Sequence, residues 1–222
     1  MAKGLPWCGL RLAGEEVQLW GERALHWPGG ETLFVADPHF GKAAAFRRLG
    51  LPAPEDTLAD LDRISRLLEA THARRLMVLG DLIHAREGRS SRLDEAVEQW
   101  RLRWREVDAI LVRGNHDRSS GDPGAVWGFE CVDGPWPVGP FVASHEPCVS
   151  ELGTVLCGHL HPVYRLRGLR GPSLRSPCFW VRPGCVVLPA FGSFTGGESI
   201  QPASSDRVIL AGGKCAIEIP VH

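Results

Sequence analysis

Five short segments of this chain concentrate side chains that bind metals and move protons: Asp37-Pro38-His39, Gly80-Asp81, Gly114-Asn115-His116-Asp117, His145, and Gly158-His159-Leu160-His161. The third puts an amide, an imidazole and a carboxylate on one stretch, groups better suited to metal binding and proton transfer than to packing. His159 and His161 stand at i and i+2, which turns both imidazoles to one face of an extended segment. Carboxylates mixed with imidazoles and one amide oxygen suit Mn²⁺, Fe or Zn²⁺ better than Ca²⁺ or a structural zinc. Asp37, His39, Asp81, Asn115, His145, His159 and His161 are too many for one tetrahedral ion and suit two ions sharing a bridging carboxylate. Two ions roughly 3.5–4 Å apart are the usual arrangement for in-line displacement at phosphorus. Each segment alone is ordinary, since Asp-Pro-His is most often a turn and Gly-Asp a turn or helix cap. The conjunction carries the reading.

The elements that must position these groups are legible around them. Thr32–Ala36, Leu76–Leu79, Ala109–Val112, Phe141–Ser144 and Val155–Cys157 are apolar runs, and each ends just before one of the five segments. Continuous apolar runs of this length are expected of strands buried on both faces. Between the first three lie helical patterns: Ala43–Leu49, then Glu55–Thr71 with Leu58, Leu61, Ile64, Leu67 and Leu68 at helical spacing, then about Leu93–Arg105. The Leu58–Leu68 stripe is core packing. Strand, helix, strand, helix, strand predicts a parallel sheet built from right-handed crossovers, and such sheets bind ligands beyond their carboxyl ends. Residues 1 to about 28 predict two or three short strands, such as Val17–Trp20 and Ala24–Trp27. After Asp117 helical periodicity fades, and Val163–Leu166, Phe179–Val181, Val186–Leu188 and Val208–Leu210 predict a second, mainly antiparallel or mixed sheet. The expectation is an α/β fold, a single domain over residues 1–222 in which a β-sandwich of two mixed sheets is flanked by helices.

Composition narrows the class. At 222 residues, with 44% hydrophobic and 23% charged side chains, the chain can bury a substantial core. A formal net charge of −1 excludes a polycation that binds nucleic acid through bulk charge. The seven cysteines are scattered, odd in number and without a Cys-x-x-Cys pair, which argues against a disulfide framework or a zinc ribbon. They read as reduced, mostly buried thiols. No signal peptide and no apolar run of roughly 18 residues is found, so a soluble, cytoplasmic protein without a membrane partner is expected. Trp100 and Trp104 share a helix face that could be core or interface, and oligomeric state stays open.

The five segments, in this order, resemble the calcineurin-like metallophosphoesterase superfamily. The resemblance spans residues 37–161 and implies that Asp37, His39 and His161 hold one metal and Asn115, His145 and His159 the other, with Asp81 bridging. It further implies a shared hydroxide that attacks phosphorus, with His116 and Asp117 as the catalytic residues, His116 assisting the leaving group and Asp117 orienting His116 or capping the loop. Ala36–Lys42, Arg113–Asp117, Ser144–Pro147 and Leu188–Gly197 resemble a narrower group of small bacterial enzymes associated with a DNA ligase and a helicase. That implies a manganese-dependent DNA phosphodiesterase or endonuclease in DNA repair. Gly80–His84 also resembles the double-strand-break repair nucleases, placing His84 near substrate. Lys42, Arg86 and Arg118 are further candidate substrate contacts, and Arg47, Arg48, Arg89 and Arg92 could complete a basic rim for a phosphate backbone of single-stranded or distorted DNA. The competing readings are a small-molecule phosphodiesterase or phosphomonoesterase with the same ions, and a non-catalytic scaffold.

Overall fold

The computed structural model describes residues 6–54, 57–166 and 173–221. Seven strands form the first sheet in sequence order: β1 (Trp7–Leu12), β2 (Glu15–Trp20), β3 (Ala24–Trp27), β4 (Thr32–Val35), β5 (Arg75–Leu79), β6 (Asp108–Val112) and β7 (Phe129–Val132). The first four pair antiparallel and β4 to β7 pair parallel. The helices α1 (Lys42–Arg48), α2 (Thr57–Thr71) and α3 (Ser91–Arg103) make the crossovers, and α4 (Asn115–Ser120) follows β6. The helix expected from Glu55 is seen from Thr57, and Glu55 itself lies outside the described residues. The N-terminal region supplies three strands. β7 was not anticipated.

The second sheet is mixed. It contains β8 (Trp136–Val138), β9 (Phe141–Ala143), β10 (Thr154–Cys157), β11 (Pro162–Leu166), β12 (Leu174–Arg182), β13 (Cys185–Val187), β14 (Glu198–Ser199), β15 (Arg207–Ala211) and β16 (Ala216–Ile219). β10 is central, with β9 and β13 parallel on either side.

Alternation along the parallel strands divides the core. Phe34, Met77 and Leu79 pack with Leu25 against Phe141, Leu156, Phe179 and Ile209, filling the space between the sheets. The intervening Leu33, Val35, Leu76 and Val78 meet Leu61, Ile64, Leu67 and Leu68 of α2 and Val97 of α3 on the outer face. The Leu61–Leu68 part of the stripe is therefore core, whereas Leu58 is 46% exposed. Trp100 is buried, and its indole N–H and that of Trp104 both donate to Ser65 Oγ at 3.0 Å, so this pair joins α3 to α2. On the outside of the second sheet Val142, Val155, Cys157, Cys185 and Val187 form a smaller cluster. All seven cysteines are free thiols; only Cys157, Cys178 and Cys185 are buried, and Cys8, Cys131, Cys148 and Cys215 are half-buried, fewer buried than expected. No helix among the described residues is long and apolar enough to cross a membrane.

The two sheets meet where the site lies. Phe191 N–H donates to the Ala36 carbonyl (2.7 Å) and Gly192 N–H to the Asp37 carbonyl (3.2 Å), joining the Gly192–Gly197 segment to the end of β4.

Candidate metal centre

Each predicted ligand follows a strand: Asp37 after β4, Asp81 after β5, Asn115 after β6, His145 after β9, and His159 and His161 after β10. Strands so aligned end together, and the turns that stop them must then be sharp. Asp37, His39, Asp81, His159 and His161 are five of the nine described non-glycine residues with positive φ, between +45° and +68°. Left-handed backbone at non-glycine residues costs about 1–3 kcal/mol each and persists where the surroundings impose it. Here the strain gathers on five of seven predicted ligands. Gly114 and Gly158 have a steric role: a Cβ at Gly114 would overlap Asp81 Oδ1, and one at Gly158 would crowd Asp37 Oδ2.

The side chains fall into overlapping groups. Asp37, His39 and His161 offer ligand atoms within 4.8 Å of one another, and so do Asp81, His145 and His159. Asn115 Oδ1 joins the second group, 2.9 Å from His145 Nε2. Asp81 stands between them, with Oδ1 3.6 Å from His145 Nε2 and Oδ2 3.9 Å from His39 Nε2. His145 Nδ1–H donates to the Leu79 carbonyl (3.2 Å), which leaves the Nε2 lone pair facing Asn115 Oδ1 and Asp81 Oδ1. Three acceptors converging on one space call for a cation.

The electrostatics agree with that demand. Asp37 and Asp81 are buried, and their ion-pair contacts are to imidazoles. Burial, then His161, Lys42, His116 and His84, lower His39 to a pKa of about 2, so its imidazole is neutral. Burial raises Asp81, and the neighbouring Asp37 adds to that. Asp37 Oδ1 and His39 Nδ1 are buried without hydrogen-bond partners among the described residues. Buried carboxylates without matching cations cost several kcal/mol each, a cost that divalent ions would offset. The donor set fits two such ions.

His116 is set differently from the ligands. Its Nδ1 lies 2.5 Å from the His84 carbonyl, which fixes that nitrogen as the donor. Nε2 then faces the centre, 3.9 Å from Asp81 Oδ2, and the side chain is 36% exposed. The His84 ring lies on it (5.2 Å, 22°) and, with His39 and His116, forms a third close imidazole group. His84 is lowered to about 4, by burial first and then by Lys42 and His116.

Asp117 requires a correction to its place among the catalytic residues. It is fully buried, with Oδ2 accepting from Gly114 N–H (2.9 Å) and Oδ1 from Ile83 N–H (3.3 Å). Burial raises its pKa and these amides oppose the shift. Of its two expected roles it takes capping, while the His84 carbonyl orients His116.

The basic rim is also revised. Arg89 donates to the Gly121 and Asp122 carbonyls (2.5 and 2.6 Å) and braces that loop, while Arg47 and Arg48 stay exposed although they also reach the Ala53 (2.8 Å) and Arg89 (3.3 Å) carbonyls. Arg86 uses Nε on the Ser119 carbonyl (3.1 Å), and Arg118 reaches Asp133 (3.4 Å). Both remain exposed. Lys42 is half-buried and close enough to disfavour protonation of His39 and His84.

Sequence reasoning missed the device that holds the Gly192 segment. Asp60, buried in α2, accepts from Ser193 N–H (3.0 Å) and Ser193 Oγ–H (2.6 Å) and pairs with Arg63 (3.1 Å). Arg63 caps the Phe191 ring and donates to its carbonyl, and Arg23 donates to Ala190 and Gly192 (3.2 and 3.3 Å). A carboxylate beside the apolar stripe of α2 was the available signal.

Known proteins match this arrangement. Residues 31–171 match the calcineurin-like phosphoesterase family model. The Pseudomonas putida nuclease MPE is 41% identical, with a TM-score of 0.84 over 95% of this chain and 100% of that one. Yfce, a phosphoesterase from E. coli, is 17% identical with a TM-score of 0.44, covering 86% of this chain and 99% of that one, too distant to carry an argument. Among curated proteins none matches the chain. A family model that covers well over half of the sequence, on a site with this donor set, shows that the chain belongs to the calcineurin-like phosphoesterase family.

Proposed function

We propose that this chain is a binuclear metal-dependent phosphodiesterase acting on DNA, an endonuclease or end-processing enzyme of DNA repair. The observation that carries this reading is the pair of ligand groups meeting at Asp81, with His116 Nε2 beside them on an open face. The likeness to a nuclease along 95% of the chain supports DNA as the substrate. Asp37, His39 and His161 would hold one ion and Asn115, His145 and His159 the other, with Asp81 shared. When bound, the ions, Mn²⁺ by preference and Fe or Zn²⁺ as alternatives, supply Lewis acidity toward the phosphoryl oxygens.

The chain's own residues do the rest. Because the His84 carbonyl holds Nδ1–H, a proton carried on His116 Nε2 is the one available to the leaving oxygen. Asp117 fixes the turn that presents Asn115 and His116, and Leu79 fixes the His145 tautomer. Lys42, Arg86 and Arg118 would serve as phosphate contacts. The free thiols fit the cytoplasm, a single domain accounts for both sheets, and a ligase and a helicase are the expected companions.

The test compares three substrates with metal-stripped protein given Mn²⁺: single-stranded DNA, bis(4-nitrophenyl) phosphate and 4-nitrophenyl phosphate. Cleavage of DNA and the aryl diester, with little monoester hydrolysis, is expected. Strong monoesterase activity with none on DNA would overturn the nuclease reading in favour of a small-molecule phosphatase.

A further inference from the structure

A row of rings leads outward from His116. His84 lies on His116 (5.2 Å, 22°), Phe46 is 6.3 Å from His84, and Phe194 meets Phe46 edge to face at 5.4 Å. Phe46 and Phe194 are half-buried, so part of each ring faces solvent. The first belongs to α1, and the second to the Gly192–Gly197 segment, whose base is fixed by Asp60, Arg63 and Arg23. The residues that follow Phe46 continue the apolar surface, with Leu49 76% and Leu51 49% exposed.

Charge accompanies the rings. The α1 sequence, Lys-Ala-Ala-Ala-Phe-Arg-Arg, carries three cations and no acid. Lys42 lies at its inner end, and Arg47 and Arg48 are exposed at its outer end, where they also reach the Ala53 and Arg89 carbonyls. Aromatic faces interleaved with cations are how proteins hold a single strand, the rings taking bases and the cations following the phosphates. A structural packing role explains the Phe46–Phe194 contact. It does not explain why the row starts at the residue proposed to protonate the leaving group.

We infer that Phe46 and Phe194 form a stacking platform for a nucleobase of single-stranded DNA close to the scissile phosphate, with α1 holding the adjoining backbone. This inference rests on the nuclease reading above and deepens it. The Gly192–Gly197 segment then carries Phe194 on a base rigid enough to hold a ring in place. Duplex DNA, whose bases are already stacked on one another, could not use such a platform without unstacking.

The experiment is an abasic scan. Oligonucleotides with one tetrahydrofuran residue at successive positions on either side of a fixed cleavage site are cut by the wild-type protein with Mn²⁺. Single-base stacking contributes about 1–3 kcal/mol, so kcat/KM should fall roughly 5- to 150-fold at one or two positions on one side only. Phe194→Leu should lower kcat/KM on the unmodified strand by a similar factor, and the abasic penalty should vanish in that variant because ring and base act on each other. Phe46→Trp should retain the position-dependent penalty. A flat abasic profile on a strand that is cut would overturn the inference and leave the nuclease reading intact. A penalty that persists undiminished in Phe194→Leu would place the platform elsewhere. No cleavage of any oligonucleotide would overturn both.

Discussion

Asp117 is the residue at which a catalytic and a structural reading separate most cleanly. Replacing it with alanine removes both oxygens that accept from Gly114 and Ile83 and leaves two buried amides without partners. Each orphaned buried donor costs about 1–3 kcal/mol. The gross penalty is roughly 2–6 kcal/mol, offset in part because burial already disfavours the carboxylate. A net loss of about 3 kcal/mol follows, which for a chain of this size lowers Tm by roughly 6–12 °C. Asp117→Asn should lose less, since it keeps one acceptor oxygen and carries no charge to desolvate. The loop that loses its cap carries Asn115 and His116, so weaker metal binding should accompany the loss of stability. Calorimetry on metal-loaded protein reads the first effect, and titration with Mn²⁺ the second. If Asp117→Ala kept its Tm within about 1 °C but lost turnover, with one limb of the pH–rate profile missing, the carboxylate would be a proton carrier and the capping assignment would be wrong.

Three further outcomes follow from the same geometry. His116→Ala should keep both metals and lose diester hydrolysis by about 10²–10⁴-fold, the usual share of a general acid; unchanged turnover would remove its assigned role. Chelation should lower Tm by roughly 5–11 °C for each ion removed, because an ion present at about 100 times its Kd contributes about 2.7 kcal/mol to the folded state, and a Tm indifferent to chelator would count against the site. His26 is buried with Nδ1 on Gln18 Oε1 (3.0 Å), and burial lowers its pKa to about 4. The unfolded chain binds that proton near pH 6.5, so stability is full above that pH and is lost as pH falls toward 4; His26→Gln should flatten the urea midpoint across this window.

The parallel strands and their polar ends were legible because a strand buried on both faces must be apolar throughout, and the first polar group after it must sit at the sheet edge. Asp37, Asp81 and His159 follow directly from that rule, and Asn115 and His145 come just after the first polar residues, Arg113 and Ser144. The helix Asn115–Ser120 was not legible, since it is short and its cap comes from Asp117 acting back on Gly114. β7, Phe-Glu-Cys-Val between Gly128 and Asp133, gives four residues of weak pattern and is held by pairing with β6. The basic rim was over-read for a general reason. An arginine in a sequence shows its charge and not the carbonyl it will reach, and Arg89 finds Gly121, 32 residues on. His84 was under-read because its contribution to His116 is partly a backbone carbonyl, which no side-chain pattern encodes.

The proposal is that the residues around Asp81 would hold two ions that serve DNA cleavage. It is tested most directly by counting bound Mn²⁺ by electron paramagnetic resonance while metal-stripped protein is titrated and single-stranded DNA cleavage is followed in the same samples. Two Mn²⁺ per chain at the activity plateau, with cleavage rising as the second binds and a spin-coupled signal appearing, is the expected result. Full DNA cleavage with one ion bound, or two ions bound and no cleavage, would contradict it.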